Sequence, residues 1–125
     1  MNIEQVREYC LGKPHTEETF PFDQNTLVFK VAGKMFALAP LDKWEQGLAS
    51  LNLKADPDYS LELRAEYESI ESGWHMSKKH WNSIYIYKGE LQPKFIMALI
   101  DHSYNMVVKG MTKKMQVQLG LKQLI

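Results

Sequence analysis

The sequence predicts an α+β domain with an antiparallel sheet, and three observations lead there. The chain has 125 residues, room for one domain spanning residues 1–125 and no second. Helical and extended stretches fall in blocks (helix, strands, helix, strands, two helices), without the regular alternation of a parallel α/β fold. Two nearly apolar runs, Leu27–Val31 and Lys34–Ala39, flank Ala32–Gly33 and read as a hairpin of covered, central strands.

The first helix rests on Ile3, Val6, Cys10 and Leu11 at near-helical spacing, with Asn2 as cap and Gly12 and Pro14 as stops. His15 to Pro21 reads as a loop leading into an apolar patch, Phe20–Pro21–Phe22. Ser50–Lys54 alternates polar and apolar residues and is a half-buried strand. Asp56–Pro57 then caps a helix over about 58–67, whose apolar side continues through Tyr59, Leu63, Tyr67 and Ile70. Gly73 breaks it. Trp74–Met76 and Ser83–Tyr87 read as extended, separated by Ser77–His80 and followed by a turn at Lys88–Gly89. Pro93 opens the longest helix, with Phe95, Ile96, Leu99, Ile100 and Met106 as its stripe, and Gly110 ends it. Thr112 caps a last short helix that turns Met115, Leu119 and Leu121 inward.

Fifteen Lys+Arg balance fifteen Asp+Glu, and the pI is near 6.9, which excludes a generic polycation. The balance hides a division. Residues 1–72 hold seven basic and thirteen acidic residues, net −6, whereas residues 73–125 hold eight lysines and only Glu90 and Asp101, net +6. Cys10 is the only cysteine and reads as a small buried hydrophobe, with no basic neighbour on its face to activate it. The Met1–Glu4 start lacks the features of a secretory signal, so the cytoplasm is expected. No run approaches the ~18 apolar residues of a membrane span.

The densest chemistry lies in Trp74–His75–Met76–Ser77–Lys78–Lys79–His80–Trp81–Asn82. Lysines suit phosphates, aromatics suit base stacking, and Asn82 suits a base edge. A structural use of the same residues stands beside that: tryptophans on the core, lysines in a solvated turn, histidines in local hydrogen bonds. His75, His80 and His102 match no zinc spacing, so no metal is expected. Asp101–His102–Ser103–Tyr104 holds the residue types of a hydrolase triad, but neighbours on one helix point apart and cannot assemble it. Phosphate-binding glycine loops, the dinucleotide fingerprint, the helical zinc-peptidase motif and the EF-hand loop do not occur, and no cofactor is expected.

Several segments together resemble one family. They are Phe20–Pro21–Phe22, Thr26–Val31, Gly33–Ala37, Asn52–Pro57, the Trp74–Asn82 run and Asp101–Tyr104, the most specific being His-Met-x-Lys-Lys-His-Trp-Asn at residues 75–82. The chain resembles the MmcQ/YjbR-like proteins over nearly its whole length. The resemblance implies a fold like that of bacterial frataxin (CyaY-like), an antiparallel β-sheet with helices packed on one side, and a DNA-binding label with a "double-wing" description. It carries no catalytic or base-reading residue to a position here. Frataxin's iron-binding helix is dense in carboxylates, and with only Glu4 and Glu8 on the first helix, iron delivery is disfavoured.

The expected function is therefore a monomeric, non-enzymatic module that binds DNA phosphates. Its candidate residues are Lys78, Lys79, His80, Trp81 and Asn82 with Lys109, Lys113 and Lys114, provided the two groups converge. All the basic residues of that half are lysines, which suits backbone positioning better than base reading. The alternative is a small-molecule protein or enzyme with a pocket of His75, His80, Trp81, Asn82, His102 and Tyr104. A third reading gives the acidic and basic halves separate protein partners.

Overall fold

The computed structural model describes residues 1–73 and 76–121. Six strands form one antiparallel sheet: β1 (Thr16–Thr19), β2 (Thr26–Val31), β3 (Lys34–Pro40), β4 (Ser50–Lys54), β5 (Ile70–Ser72) and β6 (Trp81–Tyr85), in the order β1-β2-β3-β4-β6-β5. The helices are α1 (Ile3–Leu11), α2 (Leu41–Glu45), α3 (Pro57–Glu66), α4 (Pro93–Lys109) and α5 (Lys113–Gln118).

Local signals set the helix starts. Asn2 and Gln5 exchange side-chain-to-backbone bonds of 2.9 and 2.8 Å in a capping box on α1. The Asp56 carboxylate accepts from the backbone N–H groups of Asp58 and Tyr59 ahead of Pro57, and the Thr112 hydroxyl accepts from Met115 N–H. In the β2–β3 turn Ala32 and Gly33 both have positive φ, 48° and 82°, the twist that a two-residue hairpin requires.

One face of the sheet carries the core. Leu27, Phe29, Val31, Ala37, Leu51, Leu53 and Ile84 meet Val6 and Cys10 of α1, Leu63 of α3 and the Ile96–Val108 stripe of α4. The strand residues of opposite parity, among them Lys30, Asn52, Lys54, Ser83 and Tyr85, lie outside that cluster. Between Phe29 and Lys30 the β2–β3 register slips, so Phe36 has no partner in β2 and joins Ala37 on the core face. Its ring meets Phe29 at 6.5 Å and the edge of Tyr104 at 5.3 Å.

Four expectations are corrected. The presumed loop at His15–Pro21 contains β1, because an otherwise open edge of β2 accepts Thr16–Thr19 despite their polar side chains. Ile70 leaves the helical stripe and pairs with Ile84 in β5. The extended segment drawn to residue 87 starts at Trp81, ends at Tyr85, and passes into a 3-10 turn at Ile86–Lys88. Of the extended Trp74–Met76 segment, Met76 forms a bend, while Trp74 and His75 lie outside the described residues. The short α2 had no clear periodicity to announce it; Trp44 holds it by an indole N–H bond of 2.9 Å to Ser50 O.

Candidate nucleic-acid interface

The Lys78–Trp81 turn is built from underneath. Arg64, in the last turn of α3, donates Nε to Asn82 Oδ1 at 2.7 Å and Nη2 to the carbonyls of Lys78 and Trp81 at 2.5 and 3.1 Å. Asn82 in turn donates Nδ2 to Ser60 Oγ at 3.0 Å. Asn82 is 1% exposed, so the expected base-edge contact is corrected: its amide is consumed inside the fold. Lys78 and Lys79 are exposed, and His80 and Trp81 are half-buried. The His80 carbonyl accepts from Ala55 N–H at 2.8 Å, tying the turn to the end of β4.

The residues of the alternative pocket serve separate purposes. Tyr104, 2% exposed, sends its hydroxyl to Pro14 O at 2.6 Å, and burial raises its pKa. His102 accepts from Asp56 N–H at 3.1 Å and meets the Tyr59 ring edge-on at 4.9 Å. Burial holds its pKa below the usual value, opposed by the nearby Asp56 carboxylate. Asn82 and His102 both border a void of about 10 Å³, room for one water at most. His75 lies outside the described residues. Asp101 is equally committed, accepting from the Tyr9 hydroxyl at 2.6 Å and pairing with Lys13. Among the described residues no three His, Cys, Asp or Glu groups could hold a metal ion.

The charges divide by position in the sheet and not by half of the chain. Lys34 opens β3 at the β2–β3 turn, Lys54 closes β4 opposite Trp81, and the Lys78–Lys79 turn leads into Trp81, so all lie at one end of the strands. The helix α4 runs toward that end, since Ser103 reaches both Phe36 and Lys54 there, and Lys109 follows six residues later. Next comes α5 with Lys113 and Lys114, anchored by a His15 Nε2 contact of 2.6 Å with Leu119 O. Glu17, Asp56 and Asp58 are among the acids of this end, and Asp101, paired with Lys13, lies two residues before Ser103. At the opposite end lie Asp23, Asp42 and Glu45 beside the Thr26–Pro40 pair, Glu66 and Glu68 after α3, Glu4 at the start of α1, and Glu90, which accepts from Ser69 N–H.

The two lysine groups therefore share an end but not a single spot. The Lys78–Lys79 turn leads into β6, while the C-terminal end of α5 meets His15, which leads into β1; β6 and β1 stand four strand spacings apart, about 19 Å. Lys34 and Lys54 fall between. Sequence reasoning missed those two because they belong to the acidic half of the chain, although the Gly33 turn and the parity of β4 put them at strand ends. Conversely Lys88 and Lys94, counted in the basic half, sit at the acidic end.

A family model described as YjbR matches residues 11–106, the stretch that contains the whole sheet and most of α4. The chain belongs to the YjbR family. Two relatives from Escherichia coli bear the names of uncharacterized proteins. YbdF of strain O157:H7 is 38% identical over 113 residues, 90% of this chain and 89% of the relative. YjbR of strain K12 is 29% identical over 122 residues, 95% of this chain and all of the relative. Among solved structures, Deinococcus radiodurans DR2400, described as a DUF419 domain, superposes with a TM-score of 0.85 at 40% identity, covering 96% of this chain and 88% of that one. A Pseudomonas syringae protein superposes with a TM-score of 0.69 at 26% identity, covering 85% and 98%. The α+β architecture of this YjbR-family chain is thus shared with solved relatives. Among the described residues no helix is long and apolar enough to cross a membrane.

Proposed function

We propose that this YjbR-family protein is a non-enzymatic, monomeric cytoplasmic module that binds the phosphate backbone of DNA through the basic end of its sheet, without a cofactor. The frataxin-like kinship belongs to the same proposal, supported by the antiparallel sheet with its helices on one face. One observation supports the DNA reading most: Lys34, Lys54, Lys78, Lys79, Lys109, Lys113 and Lys114, drawn from both halves of the chain, gather at one end while carboxylates collect at the other. A duplex carries one charge per ~1.7 Å of axis, so the ~19 Å from β1 to β6 spans a length of duplex whose two strands together carry about eleven phosphates, of which one side meets the protein. A molecule with zero net charge can thus present a local cationic surface, and the acidic end orients it by repulsion from the same polyanion.

The chemistry of the row points to position and not to sequence. Lysine is a point charge without the planar fork that reads guanine, and Asn82 is spent on Arg64 and Ser60. Binding is therefore expected to be indifferent to base sequence. Fluorescence anisotropy of a labelled 20-base-pair duplex, titrated at increasing salt, tests this. The expected result is saturable binding whose affinity falls linearly with log salt, a slope of about −3.6 for four neutralised phosphates. Absence of binding at the lowest ionic strength ends the proposal.

A further inference from the structure

At the acidic end, α1, α2, the end of β1 and the start of β2 line an open cavity of about 550 Å³ that the lysine row does not touch. That volume is typical of small-molecule sites. Its walls are mainly carbon: Ile3, Leu27, Leu41, Trp44 and Phe20. The Trp44 indole N–H is already given to Ser50 O, so the ring offers the cavity an apolar π surface and no free donor. On the other side of Phe20 lies a second, shallower concavity of about 420 Å³, lined by Pro21, Phe22, Asp23 and Gln24. Phe20 and Phe22 are 48% and 63% exposed, an apolar lip with no helix over it.

The rim decides the sign of the ligand. Arg7 donates Nε and Nη2 to both oxygens of Glu18 and Nη1 to Glu4, so one guanidinium serves two carboxylates. Glu45 also lines the cavity, with no cationic group within salt-bridge distance among the described residues. Three carboxylates against one guanidinium leave the rim net negative.

We propose that this cavity and its aromatic lip bind an amphiphilic organic cation, an apolar body carrying a protonated amine, independently of the basic end. The apolar body covers Leu41, Trp44 and Phe20. The ammonium group donates to the Glu45 and Glu4 carboxylates and draws on the Trp44 ring. The same rim repels an anion of equal apolar size, so the two ends of the molecule select ligands of opposite charge.

Dansylcadaverine, an apolar fluorophore with an aliphatic amine, serves as the probe, with anilinonaphthalene sulfonate as its anionic counterpart. Saturable one-to-one binding of the amine is expected, with the sulfonate at least tenfold weaker. Phe20→Ser is expected to weaken the amine about tenfold and Glu45→Gln about threefold, both with unchanged circular dichroism, since these side chains are exposed. Lys78→Glu with Lys79→Glu is expected to leave amine binding unaltered while affecting DNA, so failure here and failure of the DNA reading are separable. The proposal is overturned if the amine does not saturate, if the sulfonate binds as tightly, if neither groove variant weakens binding, or if sedimentation velocity shows a second copy of the chain competing for the groove.

Discussion

Arg64 Nε lies 2.7 Å from Asn82 Oδ1, a bond that couples α3 to β6, while Nη2 of the same side chain holds the lysine turn. Removing Arg64 strands the buried Asn82 carbonyl oxygen and takes a donor from the Lys78 and Trp81 carbonyls, the latter keeping the Gly73 N–H at 2.8 Å. Arg64→Ala is expected to cost about 2 kcal/mol, measured by urea denaturation, because bonds to charged groups contribute about 1.5–3 kcal/mol each and part of this side chain is solvated. An Asn82→Ala change on top should cost much less than it does alone, the non-additivity of partners.

Ser103 bridges β3 and β4. Its hydroxyl donates to the Phe36 carbonyl at 2.5 Å and accepts from Lys54 N–H at 2.8 Å. Ser103→Ala leaves two buried backbone groups unserved, and a destabilisation of about 1–3 kcal/mol is expected in chemical denaturation. Amide exchange at Lys54 should accelerate before that of its neighbours in β4.

His102 makes folding sensitive to acid. Its Nε2 accepts from Asp56 N–H, so the folded state needs the neutral ring, and burial lowers its pKa below the ordinary 6.5. The unfolded chain then binds more protons between the folded pKa and 6.5. Stability is full above 6.5 and declines as pH falls through that window. Thermal melts across this range should show the decline, and His102→Gln should flatten it.

Charge reversal at the basic end has a thermodynamic signature. Lys113→Glu with Lys114→Glu, on exposed positions of α5, should weaken DNA binding and reduce the log–log salt slope by about two, one for each phosphate no longer neutralised. Reversal of Lys88 and Lys94 should leave the slope unchanged, since both sit at the acidic end. Equal effects from the two pairs would mean that the position of a lysine in the sheet is irrelevant.

Cys10 is fully buried, and its thiol pKa is pushed up to about 12 by burial. Native protein should therefore react with dithionitrobenzoate only at the rate of global unfolding. Reaction should become immediate in concentrated urea.

The helices and the central hairpin were legible because their signals are local. Asn2, Asp56 and Thr112 begin helices through bonds to residues two or three positions away, Pro57 and Pro93 through their fixed φ, and Ala32–Gly33 sets a turn by its own dihedral angles. The strand β1 was illegible for the complementary reason: Thr16–Thr19 is polar, and its extended state is decided by the edge of β2, from Val28 to Val31. The same holds for Ile70, whose spacing fits a helix until Ile84 offers it a partner. In the candidate site Lys78, Lys79, Lys109, Lys113 and Lys114 were found by composition. Asn82 was misjudged because its consumption by Arg64, eighteen residues earlier, leaves no trace in spacing.

By itself the sequence determined the family resemblance, the α+β class, four of the five helices and the unequal distribution of charge along the chain. The tertiary structure alone decided what that charge means. Antiparallel strands return the chain to the same end of the sheet at every second turn, so Lys34, Lys54 and Lys78 become neighbours while Lys88 is carried to the far end. Linear charge is a sum over residues, but a field depends on distances, and only the register of the strands sets those.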